Sequence, residues 1–152
     1  MRFTKANNTA AIAVSTLLAA AVIFLARAEV HDGKSFAIEK ALPALELKEN
    51  PYTLRENWWK GELRKGENKI LKHQLFVRNE YWFWLGASQR GAKVSIHIYD
   101  GEGKIADAEA FQDKNVAGVR IIPKKSGVHY IRIAVDDTII EPVEWAVIYG
   151  YR

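Results

Sequence analysis

The chain has 152 residues, a formal net charge of +4 and no cysteine. Three of its 22 basic residues (Arg2, Lys5 and Arg27) precede the first acidic one, Glu29, which leaves 19 basic against 18 acidic side chains in the remainder. That balance lacks the surplus of Lys and Arg that a phosphate-binding face needs, so no nucleic-acid partner is expected. The missing cysteines exclude a disulfide staple and a lipid-modified cysteine alike.

The first 28 residues read as a secretory signal. Arg2 and Lys5 form a positive start, and residues 10–26 are apolar apart from Ser15 and Thr16. Ala26-Arg27-Ala28 then places small residues where a signal peptidase reads them, so cleavage is expected after Ala28. The alternative is an uncleaved membrane anchor over residues 10–26, at the lower edge of a spanning length. The expected location is periplasmic or secreted, and a membrane partner is expected only if that segment is retained.

Residues 29–57 predict an extended lead-in with at most one helical turn, at 36–41. Their apolar side chains follow no clean period, and Pro43 and Pro51 interrupt them.

From Trp58 the pattern is β. The stretches "WWKGEL", "KILKHQLFV", "YWFWLGAS", "KVSIHIY", "KIADAEAF", "AGVRII", "GVHYIRIAV" and "VEWAVIYGY" predict about eight strands over 58–152. Val94, Ile96 and Ile98 share one face of their strand. His129, Ile131, Ile133 and Val135 share another, as do Val143, Trp145, Val147, Tyr149 and Tyr151. Turn signals recur every ~8–12 residues, the spacing of a sandwich or jelly roll. The competing reading makes 104–116 a helix and 101–106 a dinucleotide fingerprint of Gly-x-Gly-x-x-Ala type. It requires a βαβ unit, whereas the sequence beyond reads as strands only, so a hairpin is expected.

These residues resemble the bacterial pre-peptidase C-terminal domain and its sandwich relatives. Tyr81, Phe83 and Leu85 match its first strand, Ile98, Tyr99, Asp100 and Gly103 its second strand and turn, and Pro123, Gly127, Ile131 and Ile133 its third. His129 stands where that family has Tyr, and no peptidase accompanies the domain in this chain. The resemblance covers roughly 59–136 and implies a secreted, non-catalytic, jelly-roll-like antiparallel β-sandwich. Some relatives bind calcium or collagen, but no residues here align with those sites.

The stretch "EYWFWLGAS" carries rings at successive positions. If Tyr81, Phe83, Leu85 and Ala87 face the core, Trp82 and Trp84 face outward. Two bare indoles would expose roughly 300–400 Å² of apolar surface, close to the largest patch on an ordinary monomer. Either residues 29–57 or Lys and Arg stems cover them, or a partner does: a glycan stacking on the indoles, or an envelope or secreted protein. Trp58 and Trp59 face opposite ways on a strand, so one of them is external; Trp145 belongs to the core. The candidate ligand-binding residues are therefore Trp82, Trp84, Trp58 and Trp59.

Catalytic chemistry has no recognisable motif. His31, His73, His97 and His129 lack metal-ligand spacing, and no serine lies in Gly-x-Ser-x-Gly. Asp136-Asp137, Glu141 with Glu144, and Asp100 with Glu102 offer oxygen ligands for a loop calcium without EF-hand spacing, and solvated loop charge is the simpler reading. The expectation is an exported, non-catalytic binding or accessory module without a cofactor. The alternatives are a hydrolase with a cryptic carboxylate or metal site, and a homodimeric envelope protein with the patch buried between copies.

Overall fold

The computed structural model describes residues 32–152. The expected signal, its cleavage point, the 10–26 anchor alternative and His31 lie outside the described residues. Among the described residues, no helix is long and apolar enough to cross a membrane.

The elements in chain order are α1 (Gly33–Leu45), β1 (Thr53–Leu54), β2 (Trp59–Leu63), β3 (Asn68–Leu75), β4 (Tyr81–Ala87), β5 (Lys93–Tyr99), β6 (Glu109–Asp113), β7 (Val116–Ile121), β8 (Gly127–Asp137) and β9 (Val143–Tyr151). They build two antiparallel sheets. One has the order β1-β9-β4-β7-β6, with β2 lying end to end with β1 along the same edge of β9; the other has the order β3-β8-β5. The pairings are nested: β2 with β9, β3 with β8, and β4 with β7. Rolling up such a nested hairpin gives the jelly roll, and the lateral pairs β4–β9 and β5–β8 close each sheet. The expected all-β, jelly-roll-like sandwich is the fold.

One strand leaves the pattern. β6 does not pair with β5 but folds against β7 at the edge of the larger sheet, leaving a single bridge between Tyr99 and Ile105. Residues 104–108, expected to be strand, are therefore mostly loop. Residues 101–116 hold no helix, which rules out the dinucleotide fingerprint, but the expected hairpin with β5 is reduced to that one bridge. Asp100 accepts from the backbone N–H groups of Glu102 and Lys104, both at 2.9 Å, and Gly103 supplies the positive φ that closes the turn.

The alternation read from the sequence sets the core. Tyr81, Phe83, Leu85 and Ala87 of β4 meet Val94, Ile96 and Ile98 of β5, Ile131, Ile133 and Val135 of β8, and Val143, Trp145, Val147 and Tyr149 of β9.

The lead-in differs from its expectation: it holds a helix of 13 residues rather than an extended chain with one turn. Asp32 caps the helix, its side chain accepting from the Ser35 N–H at 2.8 Å. Pro43 sits in the last turn, and the helix ends two residues beyond it, at Leu45. Phe36, Ala37 and Ala41 are buried and form a short apolar stripe, and packing of that stripe on the outer face of the larger sheet stabilises the helix. The approach is close at one point. A Cβ on Gly86 would lie 2.0 Å from the carbonyl oxygen of Gly33, and one on Gly33 would lie 2.5 Å from that of Gly86. Two glycines let the helix start touch the strand backbone directly.

Candidate functional site

The pleat register at β4 is the expected one, but its consequence is different. Trp84 points outward and is 2% exposed, because Ala37, Ala41 and Ile148 close over it. Trp82 is half-buried, stacked on Trp84 at 5.9 Å between ring centres and against Phe111 at the same distance. Of the expected covers, the helical segment acts on the indoles, and a nearby lysine lies over their neighbour Phe111. The 29–57 segment supplies α1, and Lys40 lies over Phe111 at 5.4 Å while bonding Asp113 at 3.1 Å. Trp58, Trp82 and Trp84 thus share the α1 side of the larger sheet, Trp84 buried and the other two half-buried, while Trp59 faces the core side. Trp82 and Trp84 belong to the packing beneath α1, which also removes the bare patch that motivated a homodimer.

Trp58 and Trp59 divide as strand neighbours must. Trp58 turns to the α1 side, half-buried, with Lys34 over its ring at 4.2 Å and Lys60 at 5.7 Å. Trp59 turns inward at the seam where the edge of the larger sheet meets β3. It stands 5.4 Å from Tyr149, 6.5 Å from Phe83 and 5.2 Å edge-on from His73. His73 in turn packs its edge on Tyr149 at 4.8 Å.

This seam is the candidate site. Between β1 and β2, residues 55–58 leave the regular ladder along the edge of β9 and stay tied to it by the Arg55 N–H, which donates to Tyr149 O at 2.9 Å. A cleft of about 400 Å³ opens there, lined by Arg55, Asn57, His73, Gln74, Asn79 and the rings of Tyr81, Tyr149 and Tyr151. A second hollow, floored by Trp58 and Trp59, adjoins it through Asn57 and His73. The volume lies within the range of small-ligand pockets.

Exposed and half-buried polar groups line the cleft. Among the described residues, the side chains of Asn57, His73 and Gln74 have no hydrogen-bond partner, and Arg55 has no carboxylate partner. The Tyr81 oxygen accepts from Phe76 N–H at 3.1 Å and Asn79 Nδ2 at 3.0 Å, so its own proton is left to donate. Arg55 lies against the hydroxyls of Tyr149 and Tyr151, and hydrogen bonding to Tyr149 holds its guanidinium pKa above the ordinary value. Burial among rings, and then the nearby Arg55 charge, push the His73 pKa down, so the imidazole is neutral and offers one donor and one acceptor.

Most of the acidic groups weighed from the sequence are occupied elsewhere. Asp137 pairs with Lys65 at 2.7 Å, and Glu141 accepts from Lys65 N–H at 2.8 Å. Asp136 accepts from Gln112 at 2.9 Å. His97 meets Asp107 at 2.7 Å on the outer face of the smaller sheet. Among the described residues, no three His, Asp or Glu side chains gather closely enough to hold a metal ion.

Beside the cleft, Glu80, just before β4, ties together segments next to β1 and β9 and the strand β7. It bonds Arg120 at 3.0 Å and Arg152 at 3.1 Å and accepts the Tyr52 hydroxyl proton. Burial acts to raise the Glu80 pKa, but the bonds from Tyr52, Arg120 and Arg152 outweigh it, and the net shift is downward. Burial, reinforced by that same carboxylate, raises the Tyr52 pKa.

Sequence reasoning placed Trp59 among the candidates but missed Arg55, Asn57, His73 and the tyrosines. They sit on an interrupted edge strand, on β3, and near the chain end, and only the rolling of β2 and β3 into different sheets joins them. The available signal was weak: Tyr149 and Tyr151 continue an inward face to the chain end, where the core has narrowed. No family model matches the chain, and no curated protein matches it.

Proposed function

We propose that the chain is an exported, non-catalytic binding module, a sandwich of the pre-peptidase C-terminal kind, whose seam cleft takes an acidic glycan. One observation carries this reading. Among the described residues, stacked rings stand beside an arginine without a carboxylate partner, beside Asn57, His73 and Gln74, whose side chains bond no other protein group, and beside the Tyr81 hydroxyl, which keeps a proton to donate. Sugar rings stack on aromatic faces through their C–H groups, while their hydroxyls bond planar amides; a uronate or similar acidic sugar would also engage Arg55 through a charge-assisted pair. A glycosidase needs two carboxylates across the scissile bond, and Glu56 is the single carboxylate lining the seam.

Isothermal titration with an oligogalacturonate, against cellohexaose as the neutral counterpart, tests the reading. The acidic oligosaccharide binds more tightly, and Arg55→Ala weakens it at least about tenfold, the loss expected of one charge-assisted hydrogen bond. Asn57→Ala weakens both sugars. No binding of either sugar, or binding indifferent to both substitutions, overturns the proposal.

A further inference from the structure

We infer that the end of the sandwich formed by the β3–β4, β5–β6 and β7–β8 loops docks on an anionic lipid surface, with a headgroup in the groove between the last two loops. This surface is separate from the seam and needs none of its chemistry.

β4 begins opposite the last residue of β7 (Tyr81 with Ile121), and β3 ends opposite the first of β8 (Leu75 with Gly127), so these loops share one end. The Val77 N–H donates to the Ser126 hydroxyl at 2.9 Å and holds two of the loops together. Large apolar side chains stand out from this end: Ile105 is 64% exposed, Ile122 54% and Val128 44%. All three line one groove of about 560 Å³, together with Lys104, Lys124 and Lys125. Lys124 and Lys125 have no carboxylate partner among the described residues.

The groove holds two acids, and both are spent. Asp100 caps the backbone of its own turn, and Glu102 pairs with Lys104 at 3.1 Å. On the wall, His129 is 5% exposed; its Nδ1 lies 3.0 Å from Gly127 O and donates to it, which leaves Nε2 without a protein partner.

Isoleucine and valine interleaved with unpaired lysines match the graded environment of a bilayer interface. There the acyl boundary and the headgroup phosphates lie within about 5–10 Å of each other. Each Lys near an anionic surface adds attraction, and the apolar side chains add burial. An exposed apolar cluster rimmed by charge marks an interaction surface, and the sign of the free charges selects an anionic one.

The absence of cysteine from the chain makes a direct test available. The full chain is labelled with an environment-sensitive fluorophore at Ile122→Cys or, at the opposite end, at Ile139→Cys, whose native isoleucine is 94% exposed on the β8–β9 loop. Vesicles of phosphatidylglycerol with phosphatidylcholine are added, and separately vesicles of phosphatidylcholine alone. A blue shift is expected at position 122, with the phosphatidylglycerol vesicles only, and none at 139. Lys124→Glu with Lys125→Glu raises the lipid concentration for half the shift at least about tenfold. Both are exposed loop positions, so the fold is retained, as circular dichroism verifies. No shift at 122, a shift equal on both lipids, a shift insensitive to charge reversal, or a shift confined to 139 overturns the inference.

Discussion

The outer face of the larger sheet and the seam between the sheets both carry packed aromatic rings, yet they end in opposite states. Beneath α1, Trp84 and Trp82 stack on each other and are covered by alanines, Ile148 and Phe111. At the seam, Trp59, His73 and Tyr149 pack just as closely, but β1 and β2 leave a gap along the edge of β9 and no helix closes it. A run of rings in a sequence therefore reports apolar surface and is silent on what covers it. The discriminating property is polar: Trp84 packs mainly against apolar side chains, while at the seam the Asn57 and Gln74 amides and the His73 imidazole line the cleft without bonding another protein side chain among the described residues.

If the α1 side is packing and the seam is not, substitutions must separate them. The largest effect is expected at Trp84→Ala, which empties a fully buried indole site and costs about 3–5 kcal/mol in denaturant unfolding. Glu80→Ala follows, at about 1–3 kcal/mol, because Arg152 loses its carboxylate and the Tyr52 hydroxyl its acceptor, while Arg120 keeps Glu109 at 3.0 Å. Since the folded-state pKa of Glu80 is depressed, its contribution is present above the unfolded value near 4.5 and is lost as pH falls through the folded one. Gly86→Ala drives a methyl group into the Gly33 carbonyl and is expected to cost about 1–3 kcal/mol, with loss of helical circular dichroism if α1 lifts off.

Seam substitutions are expected to be milder for the fold. The His73 pKa is lowered on folding, so the unfolded chain binds more protons. Stability is then fully present above the unfolded value near 6.5 and declines as pH falls from there toward the folded value. Thermal unfolding from pH 7.5 to 5 should show this slope, and His73→Phe should flatten it. Arg55→Ala, at an exposed side chain, should change stability by no more than about 0.5 kcal/mol while abolishing the preference for the acidic glycan.

The strands were legible because burial on one face imposes period two. Val94-Ile96-Ile98 and Ile131-Ile133-Val135 declare their faces without reference to the rest of the chain, and the direction of Trp82 and Trp84 follows from Tyr81 and Phe83. The helix was not legible, since its stripe is Phe36, Ala37 and Ala41, too small and too short to stand out, and Pro43 argued against it. Its start was written, however, in Asp32-Gly33-Lys34-Ser35, an N-cap signature. β6 was misplaced because its composition suits either hairpin partner, and the choice of β7 over β5 is made by tertiary packing. The seam was hidden for a different reason. Its residues come from three distant stretches and converge only through the nested pairing of β2 with β9 and β3 with β8.

The central claim is that the ligand surface lies at Trp59 and not at Trp82 and Trp84. The five indole N–H resonances of the 15N-labelled protein, followed during titration with oligogalacturonate, test it most directly. The account predicts that the Trp59 resonance moves in a saturable way while those of Trp82 and Trp84 stay fixed under α1. Movement of Trp82 and Trp84 with Trp59 unchanged would contradict it.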